Sequence, residues 1–168
     1  MDIKSLRFFP HWAPDDARQV IGFMEMVSRI LEAGPVGRWI EVGGGVGESV
    51  TLLLGYPQVD WVDVVERLPD RVEYMKRRFD GFRCSVHNAR SPAAASLFDD
   101  GSADVVYIDA SHDYESVLSD ISVWRVKSRR FVCGHDMTYS WPGVERAVRE
   151  SFGDFEVFRD GSWLALVS

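Results

Sequence analysis

Along this chain, short runs of β-branched and aliphatic residues alternate with stretches whose apolar positions recur every three or four residues. Val20, Phe23, Met24, Val27, Ile30 and Leu31 fall at helical spacing and are expected to face a core. Pro14-Asp15-Asp16 supplies the proline and acids that suit a first turn, and Gly34-Pro35 stops the helix. Arg38 to Val42 predicts a first strand, and Gly43-Gly44-Gly45-Val46-Gly47 a glycine-rich turn into a helix reaching about Leu54. Val59 to Val65 predicts the second strand and Pro69 to Phe79 its helix. Phe82 to Val86 is a third strand, Ala103 to Ile108 a fourth, and Tyr114 to Trp124 the following helix. Arg130 to Cys133 is a fifth strand, with a helix over Pro142 to Phe152. Phe155 to Phe158 and Trp163 to Val167 close the chain around the turn Asp160-Gly161.

Strands separated by helices imply crossover connections and a mostly parallel sheet covered on both faces, an α/β architecture. The last two strands lie too close in sequence for a crossover, so they form an antiparallel hairpin. Ligands in such sheets bind beyond the carboxyl ends of the strands, where the strand order reverses. Each conspicuous polar cluster falls at one of those ends: Glu41 with its glycines, Glu66, Asn88 to Ser91, Asp109 to His112, and Gly134-His135-Asp136. Five separate segments thus aim chemistry at one rim.

Composition narrows the class. The 168 residues, 46% hydrophobic and 27% charged, suit one domain spanning 1–168, with an N-terminal segment and helix over 1–35 and a core over 36–168. That balance is unlike a disordered chain. Nineteen Lys and Arg against 26 Asp and Glu leave a net charge of −7, which argues against a nucleic-acid partner held by clustered cations. The densest basic stretch, Lys76-Arg77-Arg78, sits late in a helical pattern, where cations suit the negative end of the dipole. It is expected to be a solvated helix end. Cys84 and Cys133 form no C-x-x-C pair and are expected to be small core hydrophobes. No apolar run approaches the roughly 18 residues of a membrane span, and the opening Met1-Asp2-Ile3-Lys4 is unlike a signal peptide. A cytoplasmic location without membrane partners is the expectation.

The glycine turn decides among cofactors. The dinucleotide fingerprint G-x-G-x-x-G fails in every register, because its last position falls on Glu48 from Gly43 and on Val50 from Gly45, and its third on Val46 from Gly44. No Gly-Lys-Ser/Thr follows, so a phosphate loop is absent as well. Glu41 and Glu48 flank the place where a pyrophosphate would lie, and like charges repel there. A sulfonium with an ammonium is welcome in the same place. An acid at the end of the second strand, about 20 residues on, can accept both ribose hydroxyls. Glu66 is preferred over Asp63, which would strand Val64 and Val65 in a loop.

Together these segments resemble the class I S-adenosylmethionine-dependent methyltransferases, in particular the small-molecule, catechol-type O-methyltransferase branch. Glu41-Val42-Gly43-x-Gly45-x-Gly47 resembles the first motif, and Glu66-Arg67-Leu68-Pro69-Asp70 the ribose-binding acid with its helix start. The most specific match is Val106-Tyr107-Ile108-Asp109-Ala110-Ser111-His112-Asp113-Tyr114-Glu115, of the "IDGxHxYE" kind. Gly134-His135-Asp136, then Trp141-Pro142-Gly143-Val144, is similar to the next motif. The resemblance implies a Rossmann-like sheet of seven strands in the order 3-2-1-4-5-7-6. It implies that Glu41 faces the methionine amino group, that Gly43, Gly45 and Gly47 line the cofactor, and that Ser49 binds its carboxylate. By the same resemblance Glu66 holds the ribose, Ser91 lies beside the adenine, and Asp109 borders the cofactor. Relatives of this architecture often bind Mg²⁺ after strands four and five, at positions that are Asp109, His135 and Asp136 here. A histidine in that set departs from the usual carboxylate or amide: hard oxygen ligands suit Mg²⁺, while an imidazole favours Mn²⁺, Fe²⁺ or Zn²⁺; a metal-free cluster in which Asp136 orients an imidazole is the other option.

Methyl transfer from a sulfonium is an in-line displacement, so the protein positions the partners and removes the acceptor's proton. His112 is the expected base, beside Asp109, at the position that carries a catalytic lysine in catechol-type relatives. Capping of the helix that begins near Tyr114 is its alternative role. His87 and His11 have weaker claims. Phe8-Phe9-Pro10-His11-Trp12 is a lid, an interface or packed core. The short chain leaves little to build an acceptor pocket, so a site open on one side or completed in a homodimer is expected. The acceptor is expected to be a small molecule. A cofactor-binding module without transferase activity and an NAD-dependent oxidoreductase are the competing functions.

Overall fold

The computed structural model describes residues 17–167, with side chains from Val20 onward. The helix start at Pro14-Asp15-Asp16 and the Phe8 to Trp12 segment lie outside the described residues.

Seven strands form one sheet in the order β3-β2-β1-β4-β5-β7-β6. They are β1 (Trp39–Val42), β2 (Val62–Glu66), β3 (Cys84–Asn88), β4 (Ala103–Ile108), β5 (Ser128–Gly134), β6 (Glu156–Val157) and β7 (Trp163–Leu166). β1 to β5 run parallel, while β7 is antiparallel to both β5 and β6, as the sequence pattern requires. The helices are α1 (Ala17–Glu32), α2 (Glu48–Leu53), α3 (Pro69–Arg78), α4 (Tyr114–Trp124) and α5 (Pro142–Ser151).

Alternation along each strand divides the core in two. Trp39 and Tyr107 pack with Phe23, Met26, Val27 and Ile30 of α1 and with Val50, Leu53 and Met75 on one face. Ile40, Val42, Val106, Ile108 and Val132 meet Val117, Ile121 and Trp124 of α4 and Val144 and Val148 of α5 on the other. Each buried aliphatic or aromatic side chain contributes roughly 1.5–3 kcal/mol through surface removed from water. Trp124 also donates its indole N–H to Ser91 Oγ at 2.8 Å, so its polar edge is satisfied. Truncation of Trp124 to alanine would remove both and cost about 3–5 kcal/mol.

The predicted elements recur with shifted edges. Met24 is 41% exposed, and Met26 lies inward on α1 beside Phe23, Val27 and Ile30, which are buried where the spacing predicts. β2 begins at Val62 and extends through Glu66; Val59 makes only an isolated bridge to Val36. β3 extends to His87 and Asn88, since an edge strand tolerates polar side chains. β5 starts at Ser128, whose hydroxyl bonds the carbonyls of Asp104 and Phe131 and so can be buried. Two short 3₁₀ turns, Ala93–Leu97 and Arg125–Lys127, carry no cap signal and were not predicted. Cys133 is buried as expected, whereas Cys84 on β3 is half-buried.

The amino ends of the strands are tied by charge. Asp104 accepts from the Gly37 and Arg38 amides at 2.7 and 3.2 Å and from Arg129 Nε at 2.8 Å. Asp63 accepts from Arg38 Nε at 2.8 Å and stands 2.6 Å from His87 Nε2. On the far side, Arg29 pairs with Glu156, and Arg159 with Glu25, locking α1 to the closing hairpin.

Candidate active site

A cleft of about 760 Å³ opens beyond the carboxyl ends of the parallel strands, where the order reverses between β1 and β4. Residues after β1, β2, β3, β4 and β5 all line it, so the five predicted polar segments do converge.

The glycine loop brings backbone to the floor of this cleft. Gly43 has φ +98° and lies so close to the Asp109 backbone that a Cβ would strike its carbonyl oxygen. Only glycine permits both features. Gly45, with φ +55°, faces open space, and its amide donates to Glu66 Oε2 at 2.9 Å. Gly47 stands at the N-cap of α2, which places Glu48 and Ser49 in the first turn. Glu41 is buried at the end of β1. Its Oε1 accepts from Ser49 Oγ at 2.5 Å, while Oε2 has no partner among the described residues. Burial pushes Glu41 up to about 8, against the Ser49 hydrogen bond and with help from the charges of Asp109 and Glu66. An uncompensated buried carboxylate beside an open glycine cradle suits a cationic ligand group.

Arg78 departs from the sequence expectation. It is not a solvated helix end: its side chain is 6% exposed, donates to the Val46 carbonyl at 2.9 Å and stands 3.8 Å from Glu48 Oε2. The residue therefore anchors the glycine loop from behind and balances Glu48. Helical spacing placed it at the right end of α3 but gave no sign that it turns inward.

Glu66 closes the loop from the side. Oε2 receives Gly45 N–H, and Oε1 receives Leu68 N–H at 2.9 Å. Ser91 lines the same wall, donating to Asp120 and accepting from Trp124.

At the other end, Asp109, His112 and Asp136 each offer one ligand atom within 4.8 Å of the others. His112 Nε2 is 2.7 Å from Asp136 Oδ2 and 4.0 Å from Asp109 Oδ1. The imidazole lies against the Trp141 ring with centroids 4.5 Å apart and planes 30° from parallel. Asp113, not His112, caps α4, accepting from Ser116 N–H at 2.9 Å. The capping role for His112 is thereby removed.

His135 does not join this cluster. Its ring is directed away, with Nδ1 3.3 Å from Asp136 Oδ1 and Nε2 3.5 Å from Asp160 Oδ2, the latter without hydrogen-bond geometry. Of the expected set Asp109, His135 and Asp136, the structure groups Asp109 and Asp136 with His112 and not with His135. Successive residues after a strand point opposite ways, and the partner that draws His135 away comes from the distant hairpin turn. Burial works against charging His135, but Asp136, Asp160 and Asp109 outweigh it and raise the imidazole to about 10. Burial pushes Asp109 up to about 7; the His135 charge opposes this, and Asp136 and Asp160 add to it. Asp136 is held below the usual carboxylate range, since contacts with His135 and His112 exceed the cost of burial.

The sheet order, the glycine cradle and the clustered acids define a Rossmann-like fold of the class I methyltransferase type, S-adenosylmethionine-dependent. Residues 40–137, more than half of the chain, match the model of the methyltransferase domain family, and the chain belongs to that family. Solved structures agree on the fold. The O-methyltransferase from Bacillus cereus in complex with SAH superposes with a TM-score of 0.68 at 14% identity, over 94% of this chain and 85% of that one. The O-methyltransferase TomG from Streptomyces achromogenes, in complex with SAM, gives 0.67 at 17% identity, over 89% and 80%. A cofactor-bound protein from MTB, Rv0187, gives 0.67 at 21% identity, over 88% and 79%. No curated protein matches the sequence. Among the described residues no helix is long and apolar enough to cross a membrane.

Proposed function

We propose that this methyltransferase transfers the methyl group of S-adenosylmethionine to an oxygen of a small molecule. The observation that carries this reading is the placement of the His112–Asp136 pair and Asp109 in the same cleft as the buried, half-satisfied Glu41. The cofactor, when bound, supplies an electrophilic methyl on a sulfonium.

Glu41 receives the methionine ammonium at its unpaired Oε2, and the first turn of α2 with Ser49 meets the carboxylate. Gly43 and Gly45 allow the backbone to approach the ligand, whereas Gly47 does not border the cleft and packs against Phe79 and Met75. Glu66 presents its carboxylate to the ribose, and Ser91 borders the adenine. Asp136 fixes the His112 tautomer through Nε2, leaving Nδ1 as the proton acceptor for the acceptor hydroxyl. Trp141 keeps the ring from rotating.

A second role for the same residues rests on a specific observation, the mutual approach of Asp109, His112 and Asp136. This two-carboxylate, one-imidazole set fits a divalent cation, Mn²⁺ better than Mg²⁺. When bound, the cation supplies Lewis acidity that lowers the acceptor hydroxyl's pKa. The net charge of −7 favours a small acceptor over a nucleic acid, and the free thiols of Cys84 and Cys133 suit a reducing compartment such as the cytoplasm.

The test is methyl transfer from labelled S-adenosylmethionine to a panel of phenols, carboxylates and amines, with chelator or with added Mn²⁺. His112→Ala is expected to cut turnover about a hundredfold while sparing S-adenosylhomocysteine binding. Failure of either cofactor form to bind at millimolar concentration in calorimetry would refute the proposal. Label arriving only on amines would move it to N-methylation.

A further inference from the structure

Two buried ionisable residues, His135 and Asp160, lie beneath the reacting end of the cleft and take no part in the steps above. Asp160 belongs to the turn between β6 and β7, and its side chain is 1% exposed. A turn aspartate needs only a nearby backbone amide and ordinarily stays in water. Asp160 has that amide, accepting from Ser162 N–H at 2.9 Å through Oδ1. Its Oδ2, however, accepts from Ser162 Oγ at 2.8 Å and stands 3.5 Å from His135 Nε2. Room for the carboxylate comes from α1, where a Cβ at Gly22 would lie on top of it.

The other nitrogen of the same ring leads to the site. His135 Nδ1 stands 3.3 Å from Asp136 Oδ1, and Asp136 Oδ2 stands 2.7 Å from His112 Nε2. One carboxylate thus spans two imidazoles, one with each oxygen. Rotation of the Asp136 side chain carries both oxygens together, so whatever holds Oδ1 also sets the direction in which Oδ2 meets His112. The backbone beneath is constrained as well. Asp136, at φ +62°, is the only non-glycine among the described residues with a positive φ, a conformation that aspartate tolerates in single residues. The amides on either side are bound, His135 N–H to the Ile108 carbonyl at 3.3 Å and Met137 N–H to the Gly161 carbonyl at 2.9 Å. Gly161 follows Asp160 in the same turn, so the hairpin holds this bend by main chain and side chain at once. A buried ionic chain stabilises a fold no better than apolar side chains of the same volume. What it adds here is a fixed orientation for the polar groups above it.

We propose that Asp160 and His135 are positioning residues: anchored in the closing hairpin, they hold the Asp136 carboxylate in the orientation that fixes the His112 ring. The consequence for methyl transfer rests on the reading of His112 as the base; the chain of contacts does not.

Histidine-selective ¹⁵N labelling of the full chain tests this, because long-range proton–nitrogen correlation reads the tautomer of each imidazole even where its N–H exchanges with water. Spectra are taken with chelator present, at a pH where His112 is neutral, and His112→Ala assigns its signals. Wild-type His112 is expected to carry its proton on Nε2, with a tautomer ratio about threefold or more above that of free histidine. Asp160→Asn is expected to return the ratio to the free value. So is His135→Gln, whose amide nitrogen takes the place of Nε2 and reaches Asp160 but not Asp136. His135→Asn puts its amide nitrogen in the place of Nδ1, beside Asp136, and is expected to keep the wild-type ratio. A role in filling space alone predicts the reverse order, because glutamine is closer to histidine in volume. A cooperative thermal transition shows each variant folded; should Asp160→Asn fail it, the two His135 variants carry the test. Wild-type His112 at the free-histidine ratio overturns the proposal, as do His135→Gln and His135→Asn giving equal ratios. The expected ratios without any S-adenosylhomocysteine binding in calorimetry uphold the positioning chain and remove the cofactor reading instead.

Discussion

Replacing Glu41 by glutamine isolates the charge to which we assign capture of the cofactor's ammonium. In the free protein the group is raised from 4.5 to about 8, which corresponds to roughly 5 kcal/mol of preference for the protonated form. Between these values the folded protein holds a proton that the unfolded chain has released. Stability therefore falls as pH rises from about 4.5 to 8. Asp109 contributes a slope of the same sign, so the informative quantity is the difference between two curves. Urea unfolding at a series of pH values is expected to show wild type losing several kcal/mol more than Glu41→Gln across this window. Ligand binding reverses the balance. An ammonium beside Oε2 favours the ionised carboxylate, so at pH 7 wild type is expected to release most of a proton on binding S-adenosylhomocysteine beyond what Glu41→Gln releases. Calorimetry in two buffers of different ionisation enthalpy counts that proton. Equal proton release by the two proteins would refute the role given to Glu41, as would parallel pH–stability curves.

Further outcomes follow from other contacts. Asp63→Asn is expected to destabilise by about 1–3 kcal/mol at pH 7. Asp63 is held below its ordinary value, since its hydrogen bonds to His87 and Arg38 exceed the cost of burial; the loss should therefore shrink as pH falls below about 4 in denaturant titrations. Gly43→Ala meets both a positive φ and the Asp109 carbonyl, so a loss of about 2–4 kcal/mol and of S-adenosylhomocysteine binding is expected by thermal shift and calorimetry. Arg78→Leu removes the cation behind Glu48, and about 3 kcal/mol of stability should go with it; a loss below about 0.5 would mean the buried pair is neutral to folding.

The parts of the fold that could be read from the sequence share a property: their boundaries are set locally. β4 and α4 fall at the predicted residues because the apolar run Val105 to Ile108 ends at Asp109 and an Asp113 cap starts the helix. β3 and β5 shifted because polar residues at an edge, or a serine whose hydroxyl bonds nearby carbonyls, look like loop. Along the cleft, Glu41, Asp109 and His112 were legible since strand ends announce themselves. Two features were not. Asp160 lies 25 residues beyond His135 yet its carboxylate stands 3.5 Å from that ring's Nε2. Arg78 reads as solvent-facing until the glycine loop folds over it.

The two ends of the sheet divide labour in a way that bears on engineering. Asp104 and Asp63 fasten the strand starts, while the residues beyond the strand ends handle ligand. The segment between β5 and α5 carries Tyr139, which is fully exposed, and Trp141 beside His112. Grafting other sequences into 137–140 would therefore vary the surroundings of His112 without touching the fastenings. Directed libraries confined to that stretch can explore new acceptors while leaving the Asp63 and Asp104 contacts at the opposite end of the sheet unchanged.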